Sequence, residues 1–442
     1  MPGIALGLAA HEPPTRTGNT DLKRSMRRRV ILAATIGNTL EWYDFLVYGF
    51  LAVTIAKLFF PTGSELTSVL FSVGTFGAAA VVRPVAGVAL GIYADRVGRK
   101  ASLTLTIFLM GLGTGLIALA PTYASIGVAA PLLIVIARLL QGFACGGELG
   151  GATAILVENA PNGSRGLYAS WQTASQAAGV LLGGLVTLLI SLSMTPAQLE
   201  AGGWRWPFVI GLLIVPVGLY VRSKLDEPEL FQKVRKEAPD LSVPEMLSVE
   251  PGALLTGIGI AVLYLAAAYV LFVYMPTFAV RQLGLGFSQA LIATTVASAI
   301  LFVCSPLVAA ISDRCGRKPL LIIGTLAFGL ATYPAFMAIT AEPSLVKLAV
   351  VQSAFALAMA IYAGPAISVY AELFPTRMRS TAVSLVYGIT VVLAGGFAPL
   401  IVTWLIAVTG NPLMPALYVV GAAIISAVAV LGWRDRFRDP LR

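Results

Sequence analysis

Asp44 and Glu41, both carboxylates, and Arg83 and Arg138, both guanidinium groups, stand inside long apolar runs of this 442-residue chain. An ionisable group at the centre of a bilayer costs about 2.5–3.5 kcal/mol, so it needs a partner or a wet hollow. Asn38, Glu41, Asp44 and Tyr48 recur every three or four residues and share one helix face. Arg138, Gln141, Cys145 and Glu148 fall within an arc of about 80° along about 15 Å of helix. The chemistry that suits such a set is reversible protonation. A carboxylate (Asp44, preferred over Glu41) takes a proton and frees Arg138 to hold an anion; when the proton leaves, the ion pair re-forms. Gln172 and Gln176, in a stripe with Trp171, Ser175 and Gly179, offer amide donors to the same anion or, equally, an amide pair that bridges neighbouring helices. The competing reading is a buried charge network that only holds helices in register, and it weighs most for Glu41, Glu148 and Arg83.

The elements that carry these groups are helices. The chain is 57% hydrophobic and 12% charged, about half the charge of a soluble domain. Stretches such as Gln282–Ser312 and Ser380–Trp433 hold no Asp, Glu, Lys or Arg. A crossing needs roughly 20 apolar residues, and the alternation of a barrel strand is missing. Twelve spans are expected, near 30–55, 66–93, 102–120, 131–158, 167–192, 204–222, 253–280, 287–311, 319–340, 346–372, 380–407 and 413–433. Of the 30 Lys and Arg, only Lys57, Arg205, Arg281 and Lys347 fall on one side of these spans, with Arg83 and Arg138 inside them. The basic side, which includes both termini, is expected to be cytoplasmic. The net charge of +9 is therefore a topology signal, and Arg27–Arg29 is read as an anchor before the first span instead of a nucleic-acid site. Residues 1–29 lack the usual apolar core of a signal peptide.

The chain repeats itself. The segment Gly91–Lys100 returns as Ala309–Lys318, with Asp95, Arg96, Gly98, Arg99 and Lys100 matched 218 positions later. The Glu, Pro and Arg of Glu158–Arg165 return in Glu372–Arg379 at an offset of 214. Two motifs in nearly the same register imply a duplicated six-helix unit. The expected organisation is a tail at 1–29, a bundle at 30–222, a cytoplasmic linker at 223–252, a second bundle at 253–433 and a tail at 434–442.

The loop pattern G-x-x-x-D-R-x-G-R-K and its copy resemble the major facilitator superfamily. Gly37-Asn-Thr-Leu-Glu-Trp-Tyr-Asp-Phe45, Arg83-Pro84 and Arg138-Leu-Leu-Gln-Gly-Phe-Ala-Cys-Gly-Gly-Glu148 resemble its metabolite:proton symporter subfamily, which includes permeases for citrate, tricarballylate, 2-oxoglutarate, shikimate and proline/betaine. Ala309 departs from the pattern where the first copy has Gly91. The resemblance implies a twelve-helix, all-α membrane fold working by alternating access. It also implies a cytoplasmic gate built from Asp95, Arg96, Gly98, Arg99, Asp313, Arg317, Glu158, Arg165, Glu372 and Arg379. Glu158/Arg165 and Glu372/Arg379 are expected to complete two clusters, with Asp95 facing an arginine or a helix N-terminus.

The expected function is proton-coupled symport of a small organic acid, such as citrate or 2-oxoglutarate, across the inner membrane. The alternative cargo is a zwitterionic osmolyte, proline or betaine; export of an unrelated compound is a further option. No cofactor is expected beyond the proton gradient, no metal and no nucleic acid; the partners are the cargo, H+ and the lipid bilayer, and the carrier is expected to be monomeric. The one histidine, His11, lies in a polar tail, and Cys145, Cys304 and Cys315 show no ligand spacing, which argues against a membrane enzyme. Gly146, Gly147, Gly150 and Gly151 follow no strand and are read as helix-contact residues, not a phosphate loop. In the second half Tyr264, Tyr269, Tyr274, Tyr362, Tyr370 and Tyr387 are the expected polar contributors, with plain packing the alternative for most of them.

Overall fold

The computed structural model describes residues 16–223 and 250–441 apart from 98, 147, 162 and 377. The side chains of 16–30, 33, 34, 91, 92, 94–96, 99, 100, 103, 148, 214 and 221–223 also lie outside the description. Most of the expected linker, 224–249, is outside it too.

Every regular element among the described residues is helical. The first half runs α1 (Arg16–Phe50), α2 (Ala52–Phe59), α3 (Glu65–Val81), α4 (Arg83–Val97), α5 (Arg99–Leu119), α6 (Tyr123–Ile126), α7 (Ala129–Cys145), α8 (Glu148–Glu158), α9 (Arg165–Ser193), α10 (Pro196–Ala201) and α11 (Trp206–Ser223). The second runs α12 (Pro251–Ala268), α13 (Met275–Arg281), α14 (Phe287–Cys315), α15 (Lys318–Ala341), α16 (Leu345–Leu373), α17 (Arg379–Thr390), α18 (Ala398–Thr409) and α19 (Met414–Gly432). Among the described residues ten helices, several of them built from two of these pieces, are long and apolar enough to cross a membrane. The bent pair Thr35–Phe50 with Ala52–Phe59 makes eleven, and Thr104–Leu119 is a shorter apolar helix. This is an all-α, multi-pass membrane protein, and its apolar helices follow the expected order.

Three breaks were not expected. α1 turns by 62° into α2 at Leu51, where the Ser72 hydroxyl donates to the Ala52 carbonyl at 2.9 Å and holds the opened backbone. Two π-helical turns, Tyr269–Tyr274 and Val391–Gly396, interrupt the seventh and eleventh spans. Each adds a residue to the helical ladder and so rotates the side chains that follow.

Small residues let the helices close up. A Cβ on Gly142 would stand 2.0 Å from the Ala79 carbonyl oxygen, and one on Gly150 2.0 Å from that of Ser380. The predicted role of the glycine cluster thus applies to Gly150 and to Gly146, which backs onto the Arg83 carbonyl. Gly151 has more room, and Gly147 lies outside the described residues.

Candidate functional site

Asp44 and Arg138 are both buried, and a chain of three hydrogen bonds joins them. Arg138 Nη1 donates to Gln141 Oε1 at 2.8 Å, Gln141 Nε2 donates to Thr114 Oγ1 at 2.9 Å, and the Thr114 hydroxyl donates to Asp44 Oδ2 at 3.0 Å. All three donors point from the cation toward the carboxylate, the order expected when Asp44 is ionised. This replaces the direct ion pair expected between Asp44 and Arg138. Gly113 makes the relay possible, because its missing side chain lets α5 approach α7; a Cβ there would stand 2.8 Å from the Ala137 carbonyl oxygen.

The remaining donors of Arg138, Nε and Nη2, have no hydrogen-bond partner among the described residues. The guanidinium lies over Phe45, Tyr48 and Phe76, at 4.4, 4.6 and 4.8 Å from the ring centroids. These faces hold the charge without neutralising it. Arg83 lies 4.5 Å over the same Phe45 ring and also keeps an unpartnered Nε. Glu41 is half-buried and lines a cavity of about 40 Å³ with Asp44.

The second half closes the site from above. Tyr269, on the first π turn, meets Trp42, Phe45 and Phe76 at centroid distances of 6.3, 6.3 and 6.0 Å. The Tyr264 hydroxyl donates to Gln176 Oε1 and so joins the two halves. Among the described residues, both amide atoms of the buried Gln172, Gln176 Nε2 and the hydroxyls of Tyr269, Tyr370 and Tyr387 have no hydrogen-bond partner. Tyr362 donates to the Ile260 carbonyl at 2.7 Å and is structural. Of these, Tyr269 and Tyr387 stand near Arg83; a buried polar atom without a partner costs about 1–3 kcal/mol, so these unpartnered groups suit a polar ligand. The side chain of Glu148 lies outside the described residues.

At the face carrying the repeated loops, Asp313 accepts from the Gly166 and Leu167 amides at 2.8 and 2.9 Å, capping α9 of the other half. Arg317 binds Asp313 at 2.8 Å and Glu372 at 3.1 Å. It sits between two spans, where burial works against its charge but Glu372 and Asp313 outweigh that and strengthen its hold on the proton. Glu158 pairs with Arg379 across the halves at 2.7 Å. The ion pairs thus cross the two motifs: Glu158 takes Arg379 of the second copy, and Glu372 takes Arg317. Arg165 Nη1 instead donates to the Asp439 carbonyl in the C-terminal tail, at 2.8 Å. That tail also supplies Asp435, which accepts from the Arg317 and Lys318 amides at 2.6 and 2.9 Å; the sequence reading missed it. The side chains of Asp95, Arg96 and Arg99, and Gly98 itself, lie outside the described residues. At the opposite face Ser191 and Ser288 hydroxyls meet at 3.1 Å. The halves thus touch at both ends and in the middle.

Residues 30–238 match a family model described as sugar (and other) transporter, and residues 258–441 match that of the major facilitator superfamily. The chain is 35% identical to the citrate-proton symporter of Salmonella typhi over 96% of each chain. It is 32% identical to the proline/betaine transporter of Escherichia coli K12, over 98% of this chain and 88% of that one. It is also 32% identical to the shikimate transporter of the same strain, over 96% and 98%. The xylose transporter of E. coli, in a partially occluded inward-open conformation, superposes with a TM-score of 0.76 at 19% identity, over 94% of this chain and all of that one.

Proposed function

The chain belongs to the major facilitator superfamily, and from that premise we propose that it is a proton-coupled symporter of a small carboxylate. The observation that carries this reading is Arg138, a buried guanidinium whose Nε and Nη2 have no hydrogen-bond partner among the described residues. A planar fork with free donors suits a carboxylate. Arg83, Gln141, Gln172 and Gln176 would supply further polar contacts, and Asp44 would carry the proton.

The relay supplies the coupling. With Asp44 ionised, the Arg138 charge is drawn through Gln141 and Thr114 toward the carboxylate. Once Asp44 is protonated, the far end of the relay no longer attracts the cation, and Arg138 turns its full charge to the cargo. Binding of proton and anion is then mutually favourable, as linkage requires. Release on the inner side reverses both. The driving force is about 1.4 kcal/mol per pH unit for each proton, with about 2.3 kcal/mol per 100 mV for each net charge moved.

The positive-inside rule puts the repeated loops and both termini in the cytoplasm of a cell whose inner membrane holds the carrier. The clusters around Asp313, Arg317, Glu158 and Arg379 then form the inner gate and must part when it opens. The protein acts as a monomer, with the proton gradient in place of a cofactor.

A zwitterionic osmolyte is the second reading, favoured by the Trp42 and Tyr269 rings, which offer aromatic faces to an ammonium group. The Phe45, Tyr48 and Phe76 rings are already in contact with arginine, so carboxylate recognition ranks first. Uptake of labelled citrate and labelled proline into proteoliposomes under an imposed pH gradient separates the two. Accumulation of citrate and not proline is expected; the reverse would overturn the carboxylate assignment.

A further inference from the structure

Asp44 faces two ways. Oδ2 receives the Thr114 hydroxyl on the relay side, while Oδ1 has no hydrogen-bond partner among the described residues. Asp44 also lines a cavity of about 40 Å³, whose other walls include Glu41, Thr106, Gly211 and Gly218. A water centre needs about 10–15 Å³, so one to about three waters fit there. Glu41, Thr106 and Asp44 give those waters polar neighbours. Gly211 is needed for this arrangement: a Cβ there would stand 2.2 Å from Asp44 Oδ1.

The cavity has a direction. Gly37 precedes Asp44 by seven residues, Gly218 follows Gly211 by seven, and Thr106 precedes Thr114 by eight. At 1.5 Å per residue each step is about 10–12 Å. The N-terminal ends of α1 and α5 and the C-terminal end of α11 belong to the basic side of the membrane, so all three steps run toward the cytoplasmic face. Every lining residue belongs to α1, α5, α7 or α11. None comes from α12–α19, whereas the seam between the halves, where Tyr269 packs on Phe45 and Phe76, the rings that carry Arg138, is reached from Asp44 through the relay on its Oδ2 side.

We propose that this cavity is a water-holding proton route, running inside the N-terminal half from Asp44 toward the cytoplasm and separate from the seam that passes the cargo. The inference rests on the reading of Asp44 as proton carrier. A buried carboxyl group exchanges its proton only through a partner in direct reach or through one water. The relay cannot serve, because its three donors all point toward Asp44 and it ends on an arginine. The cavity can. Other titratable groups around Asp44 are Glu41 and Tyr43 on α1, the latter bonded to the Pro207 carbonyl, and Arg138 on α7 at the far end of the relay. The lining residues from α5 and α11 are not titratable.

The test blocks the cavity away from Asp44. A Cβ at Gly218 meets only the flexible ends of Ile107 and Leu40, at 3.1 and 3.6 Å, so Gly218→Val fills the cytoplasmic end. Thr106→Val removes a polar wall at nearly constant volume. In proteoliposomes with labelled citrate, each variant is expected to slow proton-driven net uptake by about tenfold or more. Counterflow, which needs no proton release, is expected to stay near wild type. Net uptake at the wild-type rate in both variants, or equal loss of net uptake and counterflow in both, would overturn the proposal. A substrate-free readout runs beside it: the infrared carboxyl band that Asp44→Asn abolishes should respond more slowly to a pH jump in Gly218→Val, and an unchanged rate counts against the route. Were Asp44→Asn itself to keep full accumulation, the proton-carrier reading would fall first, and the two failures are thereby told apart.

Discussion

Thr114→Val removes one hydroxyl and cuts the relay at its middle. Valine fills nearly the same volume, so packing between α5 and α7 survives. The loss is polar: Asp44 Oδ2 and Gln141 Nε2, both bonded to Thr114, are left buried without a partner. The bond to the ionised carboxylate is worth about 1.5–3 kcal/mol. Its loss favours the neutral acid, and about 1.4 kcal/mol corresponds to one pH unit. The midpoint of the pH profile for net uptake should therefore move upward by about one unit or more. Asp44 would hold its proton where wild type releases it, so accumulation should fall while counterflow persists. Thr114→Ser keeps the hydroxyl and should track wild type. The assay is net uptake and counterflow in proteoliposomes at stepped internal pH. A Thr114→Val profile that overlays wild type would refute the relay as the coupling element.

Arg138→Lys keeps a positive charge but loses the fork, so the apparent KM for a carboxylate should rise by about tenfold or more; an unchanged KM would move the anion site toward Arg83. Gln172→Leu removes two unpartnered amide atoms from a buried position, so thermal stability should hold or rise while KM increases; a stability loss without a KM change would mark Gln172 as structural. Glu158→Gln removes the negative charge from the 2.7 Å pair with buried Arg379 while keeping an acceptor, so the inner gate should open more readily, read as faster labelling of cysteines placed along the inner half of the seam. Unchanged labelling would assign the pair to topology alone.

The order of the helices, the duplication and the position of the two central charges were legible because each rests on a strong physical constraint. Charge-free runs of twenty residues have few other uses, and an arginine inside one needs a reason. Thr114 was not legible in the same way. A hydroxyl in a span is usually satisfied by its own helix, and Thr114 shares its span with Ser102, Thr104 and Thr106, so nothing singled it out. The pairing of Glu158 with Arg379 was also hidden: repeated motifs reveal which residues correspond, but which half each one faces depends on how the bundles meet. Asp435 lies in a short polar tail, where sequence gives no periodicity to read. The π turns depend on side chains packing across the seam, so nothing local in Tyr269–Tyr274 announces them.

Asp44→Asn tests the central claim most directly. The amide keeps the shape of the side chain and can still accept from Thr114, but it cannot take up a proton. Accumulation of labelled citrate against its gradient, driven by an imposed pH difference, should disappear, while counterflow exchange should continue at a measurable rate. Accumulation at the wild-type level in Asp44→Asn would contradict the account.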